Sequence, residues 1–249
     1  MLFRSHLKYL LQLLGVEEAQ VKAVAPSTCM TFLGISFNTH DMTMSVPQEK
    51  MDDIFEVLDI WKHKKSASKV QIQSLIGKLQ FAAKCVRPGR VFISRMLEFL
   101  RTIHTFSKHK QVAIPHEFLK DVYWWSVFMS TYNGISMIPQ QIWSYPDSVI
   151  ATDACLSGCG GYSRTLGYFF HTSYPANIIY NNYNINVLEL WTVIIALKLW
   201  GDKLQGHRVQ VFCDNQSSVT VINSGRTRDS LTSACLREIA YLCSVCEME

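Results

Sequence analysis

Apolar residues recur at helical spacing through most of the first 130 residues of the chain. Side chains three or four positions apart share one face of a helix, so this pattern predicts amphipathic helices. We place them at residues 3–14, 47–62, 69–85, 90–104 and 115–132. Pro47 and Pro115 begin two of these helices, and Ser68 is placed to cap a third.

Extended runs precede and follow this helical part. Residues 21–25 predict a short strand, and residues 30–37 and 42–46 predict a β-hairpin. Further strands are predicted at residues 148–152, 160–163, 166–171 and 209–213, with an apolar helix at residues 187–200. A helix after Asp214 and a last helix from Ser230 complete a β-β-β-α-β-α-α order. Because residues 133–146 are rich in turn formers, we place a domain boundary there.

The composition is that of a folded chain, with 48% hydrophobic and 18% charged residues over 249 positions, a length that fits two domains. No apolar run reaches the roughly 20 residues of a membrane-spanning helix, and polar residues interrupt the N-terminal run. We therefore expect an intracellular protein of the cytoplasm or nucleus that does not bind membranes. The eight cysteines are scattered, which favours reduced thiols, and Cys243-x-x-Cys246 lacks the second pair of a zinc site.

Charge is distributed unevenly along the chain. Residues 62–110 contain twelve Lys and Arg and a single acidic residue, Glu98, which gives a net charge of +11 in a chain of net charge +4. A solvated helix face usually mixes both signs, whereas a block of one sign points to a polyanionic partner. We predict that this basic block binds nucleic acid.

Three carboxylates occupy the ends of predicted elements in the second region. Asp153 closes the first strand before a glycine-rich hairpin, Glu189 lies in the first turn of the apolar helix, and Asp214 closes the fourth strand. In this element order the first and fourth strands lie side by side under the helix, so we expect the three side chains to converge. Carboxylates this close need cations, and Mg²⁺ prefers oxygen ligands. Two such ions about 3.5–4 Å apart support phosphodiester hydrolysis.

Each carboxylate also has a simpler explanation. Asp153 could be a turn residue, Glu189 could cap its helix from three residues after Asn186, and Asp214 could be the N-cap of the following helix. Taken singly, these explanations remain open. Their joint placement at strand end, helix start and strand end favours a metal site, because burying unpaired charge is costly.

Several motifs resemble a known family. Three segments of the chain resemble the first three acidic motifs of the type 1 ribonuclease H fold. They are Thr152-Asp153-Ala154 before Gly158-x-Gly160-Gly161, Leu188-Glu189-Leu190, and Cys213-Asp214-Asn215. Upstream, the primer-grip hairpin of a reverse transcriptase resembles Phe32-Leu33-Gly34-Ile35. The thumb and connection of DIRS-like retroelements, and more distantly of gypsy-type elements, resemble Leu75-Ile76-Gly77-Lys78-Leu79-Gln80-Phe81 and Arg87-Pro88-Gly89-Arg90.

The resemblance implies an α+β or α/β chain in three parts. These are the end of a reverse-transcriptase palm with its β-hairpin (residues 1–46), a helical thumb and connection (47–140), and a ribonuclease H-like mixed β-sheet domain (147–249). It implies cleavage of RNA–DNA hybrids with Mg²⁺, or Mn²⁺ in its place, by the metal ligands and catalytic residues Asp153, Glu189 and Asp214. The implied nucleic-acid contacts are Lys78, Lys84, Arg87, Arg90 and Asn215, and the primer-grip-like residues are Phe32, Leu33 and Gly34.

Two features of the family are not found in the sequence. It contains no Tyr-x-Asp-Asp-like polymerase motif, so we expect the chain to begin partway through the polymerase and not to polymerise alone. It also ends before the position of the family's fourth acidic residue. The alternative hypothesis is therefore a truncated, catalytically inactive retroelement fragment that only binds nucleic acid. A third hypothesis, an ATP-binding protein with the same sheet order, calls for a second glycine hairpin that the sequence lacks.

Overall fold

Helices with one apolar face make up the first region of the computed structural model, which describes residues 2–16, 25, 27–138 and 145–249. The helices are α1 Leu2–Leu13, α2 Gln48–Lys62, α3 Lys69–Ala82, α4 Val91–Thr102 and α5 His116–Phe128, with a 3-10 helix at Arg87–Arg90. The buried faces of α2 to α5 form one core around Leu58, Trp124 and Trp125. Ser68 caps α3 in a capping box with Gln71, which confirms its predicted role.

A small antiparallel sheet stands at the start of this region. Its strands, in spatial order, are β1 Cys29–Phe32, β2 Ile35–Asn38, β3 Thr43–Ser45 and β6 Ile135–Ser136, while β4 Ser66–Ser68 pairs with β5 Gln111–Ala113. The predicted hairpin is present between β2 and β3. Its first predicted strand, residues 30–37, is divided in two, because the chain turns back at Leu33 and Gly34, whose φ angles are 49° and 77°. Two positive φ angles suit a two-residue hairpin turn, and glycine adopts such an angle without strain. The predicted strand at residues 21–25 lies outside the described residues except for Ala25.

The second region is a four-stranded mixed sheet. Its strands are β7 Ser148–Ala154, β8 Gly158–Ser163, β9 Tyr168–Ser173 and β10 Val209–Phe212. They are ordered β10-β7-β8-β9, with β10 parallel to β7 and the other pairs antiparallel. The helices are α6 Ala176–Tyr180, α7 Ile185–Trp200, α8 Gln216–Ser224 and α9 Ser230–Val245, with a 3-10 helix at Gly201–Lys203. The predicted fold class and the predicted adjacency of the first and fourth strands are confirmed.

Helix α9 belongs to two cores. Cys235 and Ile239 pack with α7 and with Ile150 of β7 in the core of the sheet region. Leu236 belongs to the core of the helical region, and Arg237 forms an ion pair there with the buried Asp121 of α5. The two regions therefore share one helix, and the predicted domain boundaries at residues 46, 140 and 147 stay predictions.

The other face of the sheet is open among the described residues. The strand registers align Phe212, Ala151, Tyr162 and Phe169 in one row across all four strands. The three aromatic side chains of this open row are 55%, 48% and 79% exposed. Among the described helices, none combines the length and the apolar character needed to cross a membrane.

Candidate metal centre

Two neighbouring parallel strands bring Asp153 and Asp214 to the same edge of the sheet. Phe212 of β10 pairs with Ala151 of β7, so continuing this register by two residues places Asp214 beside Asp153. Both carboxylates are exposed. Because β7 continues to Ala154, Asp153 lies within the strand, opposite Gly160 of β8. The explanation of Asp153 as a turn residue is therefore wrong.

Glu189 reaches this edge from α7. Its side chain is 2% exposed; Oε1 accepts a hydrogen bond from the Ala154 N–H at 3.3 Å, and Oε2 accepts one from the Cys213 thiol at 3.5 Å. Helix α7 begins two residues earlier than predicted, with Asn184 as the N-cap whose side chain accepts from the Asn186 N–H. Glu189 therefore lies in the second turn rather than the first, and its explanation as a capping residue is wrong.

Asn215, rather than Asp214, caps α8. Its Oδ1 accepts a hydrogen bond from the Ser218 N–H at 2.9 Å, and its Nδ2 donates to Asn186 Oδ1 at 2.8 Å. The explanation of Asp214 as an N-cap is therefore wrong. Because both polar groups of the Asn215 amide are bonded within the chain, Asn215 ties the start of α8 to the start of α7 and fixes the backbone that carries Asp214.

Among the described residues, one group of three side chains is placed to hold a metal ion: Glu189, Cys213 and Asp214. One ligand atom from each lies within 4.8 Å of the other two, and Asp153 is not part of the group. Sequence position alone did not single out Cys213. The available signal was the alternation of Val209, Val211 and Cys213, which directs these side chains to one face of β10.

Two groups of the site are penalised in their charged forms. Burial raises the pKa of the Glu189 carboxyl, and the charges of Asp214 and Asp153 raise it further, against the hydrogen bonds from Cys213 and Ala154. Burial also raises the pKa of the Cys213 thiol, with Glu189 adding to the effect. Both groups resist becoming negative in this position, and a bound divalent cation would remove that penalty. Two carboxylates and a thiol form a donor set that fits such an ion.

Glycines hold the β7–β8 hairpin close to β9. A Cβ on Gly158 would lie 2.5 Å from the carbonyl oxygen of Thr172, and one on Gly161 would lie 2.4 Å from the ring of Phe170. A larger residue at either position would therefore clash with β9. The Cys155 N–H donates to the Gly158 carbonyl at 2.9 Å and closes the turn directly after β7, the strand that contains Asp153.

The tip of the β1–β2 hairpin lies against α3. A Cβ on Gly34 would lie 2.3 Å from Lys50 Nζ and 3.3 Å from the ring of Phe81. The ammonium groups of Lys50 and Lys84 lie 4.4 Å and 5.4 Å from the centre of that ring. Lys50, which the sequence analysis did not identify, therefore lies beside Gly34 at the tip of this hairpin, where Phe32 and Leu33 are exposed.

The four selected basic residues of the helical region are all exposed: Lys78, Lys84, Arg87 and Arg90. Lys78 lies on α3, Lys84 lies two residues beyond it, and both arginines lie in the following 3-10 helix. The guanidinium of Arg87 also pairs with Glu249, with 3.4 Å between Nη1 and Oε1. Three of the four cations thus form no ion pair among the described residues and are available to an anionic partner.

Solved structures of the foamy viral protease-reverse transcriptase resemble the chain weakly. The one in complex with RNA/DNA hybrid is 13% identical with a TM-score of 0.37, and covers 99% of this chain and 33% of that chain. The dRH form in complex with ds DNA is 14% identical with a TM-score of 0.34, and covers 92% of this chain and 38% of that chain. The complex with dsDNA is 14% identical with a TM-score of 0.35, and covers 96% of this chain and 49% of that chain. This chain therefore spans a third to a half of their length. TM-scores this low do not establish a structural relationship, and no functional assignment is based on them. No family model and no curated protein matches the sequence.

Proposed function

We propose that the chain is the thumb, connection and ribonuclease H-like part of a retroelement reverse transcriptase, and that it cleaves the RNA strand of RNA–DNA hybrids. The observation that carries this proposal is that Asp153 within β7 and Asp214 just beyond the parallel β10 lie side by side, with the buried Glu189 facing the same edge of the sheet. A buried carboxylate that faces two others is costly unless a cation is bound.

Asp153, Glu189 and Asp214 are the proposed ligands of Mg²⁺, which Mn²⁺ can replace. When bound, such ions lower the pKa of a coordinated water and stabilise the leaving oxygen of a phosphodiester. The chain's own residues fix the ligands in place. The Ala154 N–H and the Cys213 thiol hold the carboxylate of Glu189, and Asn215 holds the backbone next to Asp214.

The basic surface supports a nucleic-acid substrate. Lys50 and Lys84 flank Phe81 beside the hairpin tip, and Lys78, Arg87 and Arg90 extend the positive charge along the same part of the chain. A hybrid duplex is recognised mainly through phosphate and 2′-hydroxyl contacts rather than base edges. Exposed lysines and arginines that pack on a rigid helix are suited to such contacts.

Asp153→Asn is the decisive test of cleavage. The substitution changes one exposed oxygen to nitrogen, so the fold is retained, hybrid binding persists and Mg²⁺-dependent cleavage falls to background. Asp202→Asn is the matched control, because Asp202 is an exposed aspartate just beyond the far end of α7. Cleavage is followed on the labelled RNA strand of a hybrid, and binding by fluorescence anisotropy.

The outcomes separate the two leading hypotheses. Equal cleavage by Asp153→Asn and the unmodified chain contradicts the proposed site. If the unmodified chain binds the hybrid but does not cleave it with Mg²⁺ or Mn²⁺, the alternative of an inactive nucleic-acid-binding fragment is favoured instead.

Lys84→Gln tests the basic surface. The loss of one phosphate contact is expected to reduce the slope of log Kd against log salt concentration by about 1. Lys198→Gln is the control, because Lys198 Nζ already lies 2.7 Å from Glu238 Oε1. An unchanged slope for Lys84→Gln shows that this surface does not hold the substrate.

A further inference from the structure

The group of ligand atoms at the sheet edge contains a thiol, although the proposed nuclease needs only oxygen ligands. Cys213 Sγ lies 3.5 Å from Glu189 Oε2, and one ligand atom from each of Glu189, Cys213 and Asp214 lies within 4.8 Å of the others. Mg²⁺ prefers oxygen, whereas zinc accepts sulfur together with carboxylate oxygen. The donor set therefore matches zinc better than it matches magnesium.

A buried hydroxyl beside Cys213 independently points to a ligand. Thr152 is 5% exposed, and its Oγ1 has no hydrogen-bond partner among the described residues. The β7–β10 register places Thr152 next to Cys213. Thr152 lies two residues after Ile150 of β7, and Cys213 lies two residues after Val211 of β10. Side chains two positions apart share one face of a strand. Because Ile150 and Val211 pack in the core under α7, Thr152 and Cys213 face the side from which Glu189 approaches. A water molecule held in this space would satisfy the hydroxyl.

We propose that Glu189, Cys213 and Asp214 form a Zn²⁺ site in which Cys213 selects the metal and a water bonded to Thr152 occupies the fourth position. Zinc ligands at about 2.0–2.3 Å from the ion lie about 3.3–3.7 Å from one another in a tetrahedron, so side-chain adjustments of about 1 Å close the site. Three protein ligands and one open position are typical of accessible zinc sites. On binding, a zinc–sulfur bond forms and the thiol proton passes to solvent.

The zinc site overlaps the proposed nuclease site. Glu189 and Asp214 are common to both, so a bound Zn²⁺ would exclude Mg²⁺ and inhibit hybrid cleavage. This inhibition rests on the proposed function, whereas zinc binding itself needs only the three ligands. Zn²⁺ would thereby act as an inhibitor through Cys213.

Calorimetric titration of the 249-residue chain with Zn²⁺ tests the site. Two buffers of different protonation enthalpy reveal the released proton, and Cd²⁺ reports thiolate ligation through its ultraviolet absorption. Cys213→Ser is expected to weaken zinc binding at least about 100-fold, beyond the loss of an outer-shell partner, and to remove its share of the cadmium band. Cys29→Ser, at an exposed cysteine of β1, is the matched control and leaves both unchanged.

Asp214→Asn keeps the test decisive if Cys213→Ser does not fold, because Asp214 is exposed and its substitution leaves the core intact. It is expected to weaken zinc binding by a similar factor. Zinc affinity that is equal in the unmodified chain and in Asp214→Asn would falsify the site. A chain that cleaves hybrids with Mg²⁺ but binds no zinc overturns only the zinc site, whereas one that binds zinc through Cys213 but never cleaves overturns only the nuclease.

Discussion

The helical region encloses its core, whereas the described residues of the sheet region cover only one face of its sheet. Leu58, Trp125 and their neighbours are fully buried between α2 and α5. In the sheet region, α7 and α9 bury Ile150, while the open row on the other face leaves Phe212 and Phe169 more than half exposed. Because buried apolar area drives folding, the sheet region depends on α7 and α9, the helices that bury Ile150.

Helix α9 is anchored by contacts with the helical region. Arg237 of α9 is 7% exposed and pairs with Asp121, which is fully buried. Its guanidinium lies over the ring of Phe92, 5.3 Å from the centre, and Trp124 Nε1 donates to Ser244 Oγ at 3.0 Å. The helical region therefore stabilises the sheet region through α9. The edge of the sheet that carries the candidate site depends on the same contacts.

Arg237→Met should cause the largest loss of stability. Removing the guanidinium leaves Asp121 buried, and the remaining cation that pairs with it among the described residues is Arg95, whose Nη2 lies 3.6 Å from Oδ1. Breaking one partner of a buried ion pair costs about 3–5 kcal/mol in the free energy of unfolding. Because α9 serves both cores, tryptophan fluorescence and far-ultraviolet circular dichroism are expected to report one shared transition in urea at a lower midpoint.

Two further variants sharpen this test. Glu238→Gln breaks the exposed pair between α9 and Lys198 and should cost less than about 1 kcal/mol. The double variant Asp121→Leu with Arg237→Met removes both buried charges and should recover most of the loss. A sheet region that stays folded in Arg237→Met while the helical region unfolds would break the comparison.

Replacing a glycine with alanine should change the free energy of unfolding in opposite directions in the two regions. A Cβ on Gly158 meets the backbone oxygen of Thr172, which cannot move without opening the β8–β9 pairing, so Gly158→Ala should lower the free energy of unfolding by about 1–3 kcal/mol. Gly77 lies in α3 with open space around it, so Gly77→Ala should raise it by about 0.5–1 kcal/mol. Urea unfolding measures both, and a change of the same sign contradicts the expectation.

The helical region could be predicted closely because its buried faces are periodic. Five apolar residues of α2 recur at helical spacing; Met51, Ile54, Leu58 and Trp61 are buried, and Phe55 is partly buried. Elements without periodicity were missed. β4 and β5 contain three residues each, too few for a pattern, and the turn at Leu33 requires a positive φ angle that no local sequence feature assigns to leucine.

The candidate site could be predicted only in part. The ends of the elements identified Asp153, Glu189 and Asp214, and the strand order predicted that the two aspartates would adjoin. The inclusion of Cys213 depends on the register between β10 and β7 and on the rotamer of Glu189. Neither is encoded locally, because a shift of one residue in the pairing would reverse every side chain of the strand.

Removing the charge of Glu189 should cause the smallest change in stability, and this change should depend on pH. Burial first, and then Asp214 and Asp153, raise its pKa above the ordinary value of 4.5, so the folded chain binds this proton more tightly than the unfolded chain does. The resulting stabilisation is present below about pH 4.5 and is lost as the pH rises through the raised pKa. Glu189→Gln stays neutral at every pH. In urea without divalent cations it should therefore be more stable than the unmodified chain at pH 7 and equally stable at pH 4. A difference that does not change with pH contradicts a penalty on this charge, and with it the need for a cation at the sheet edge.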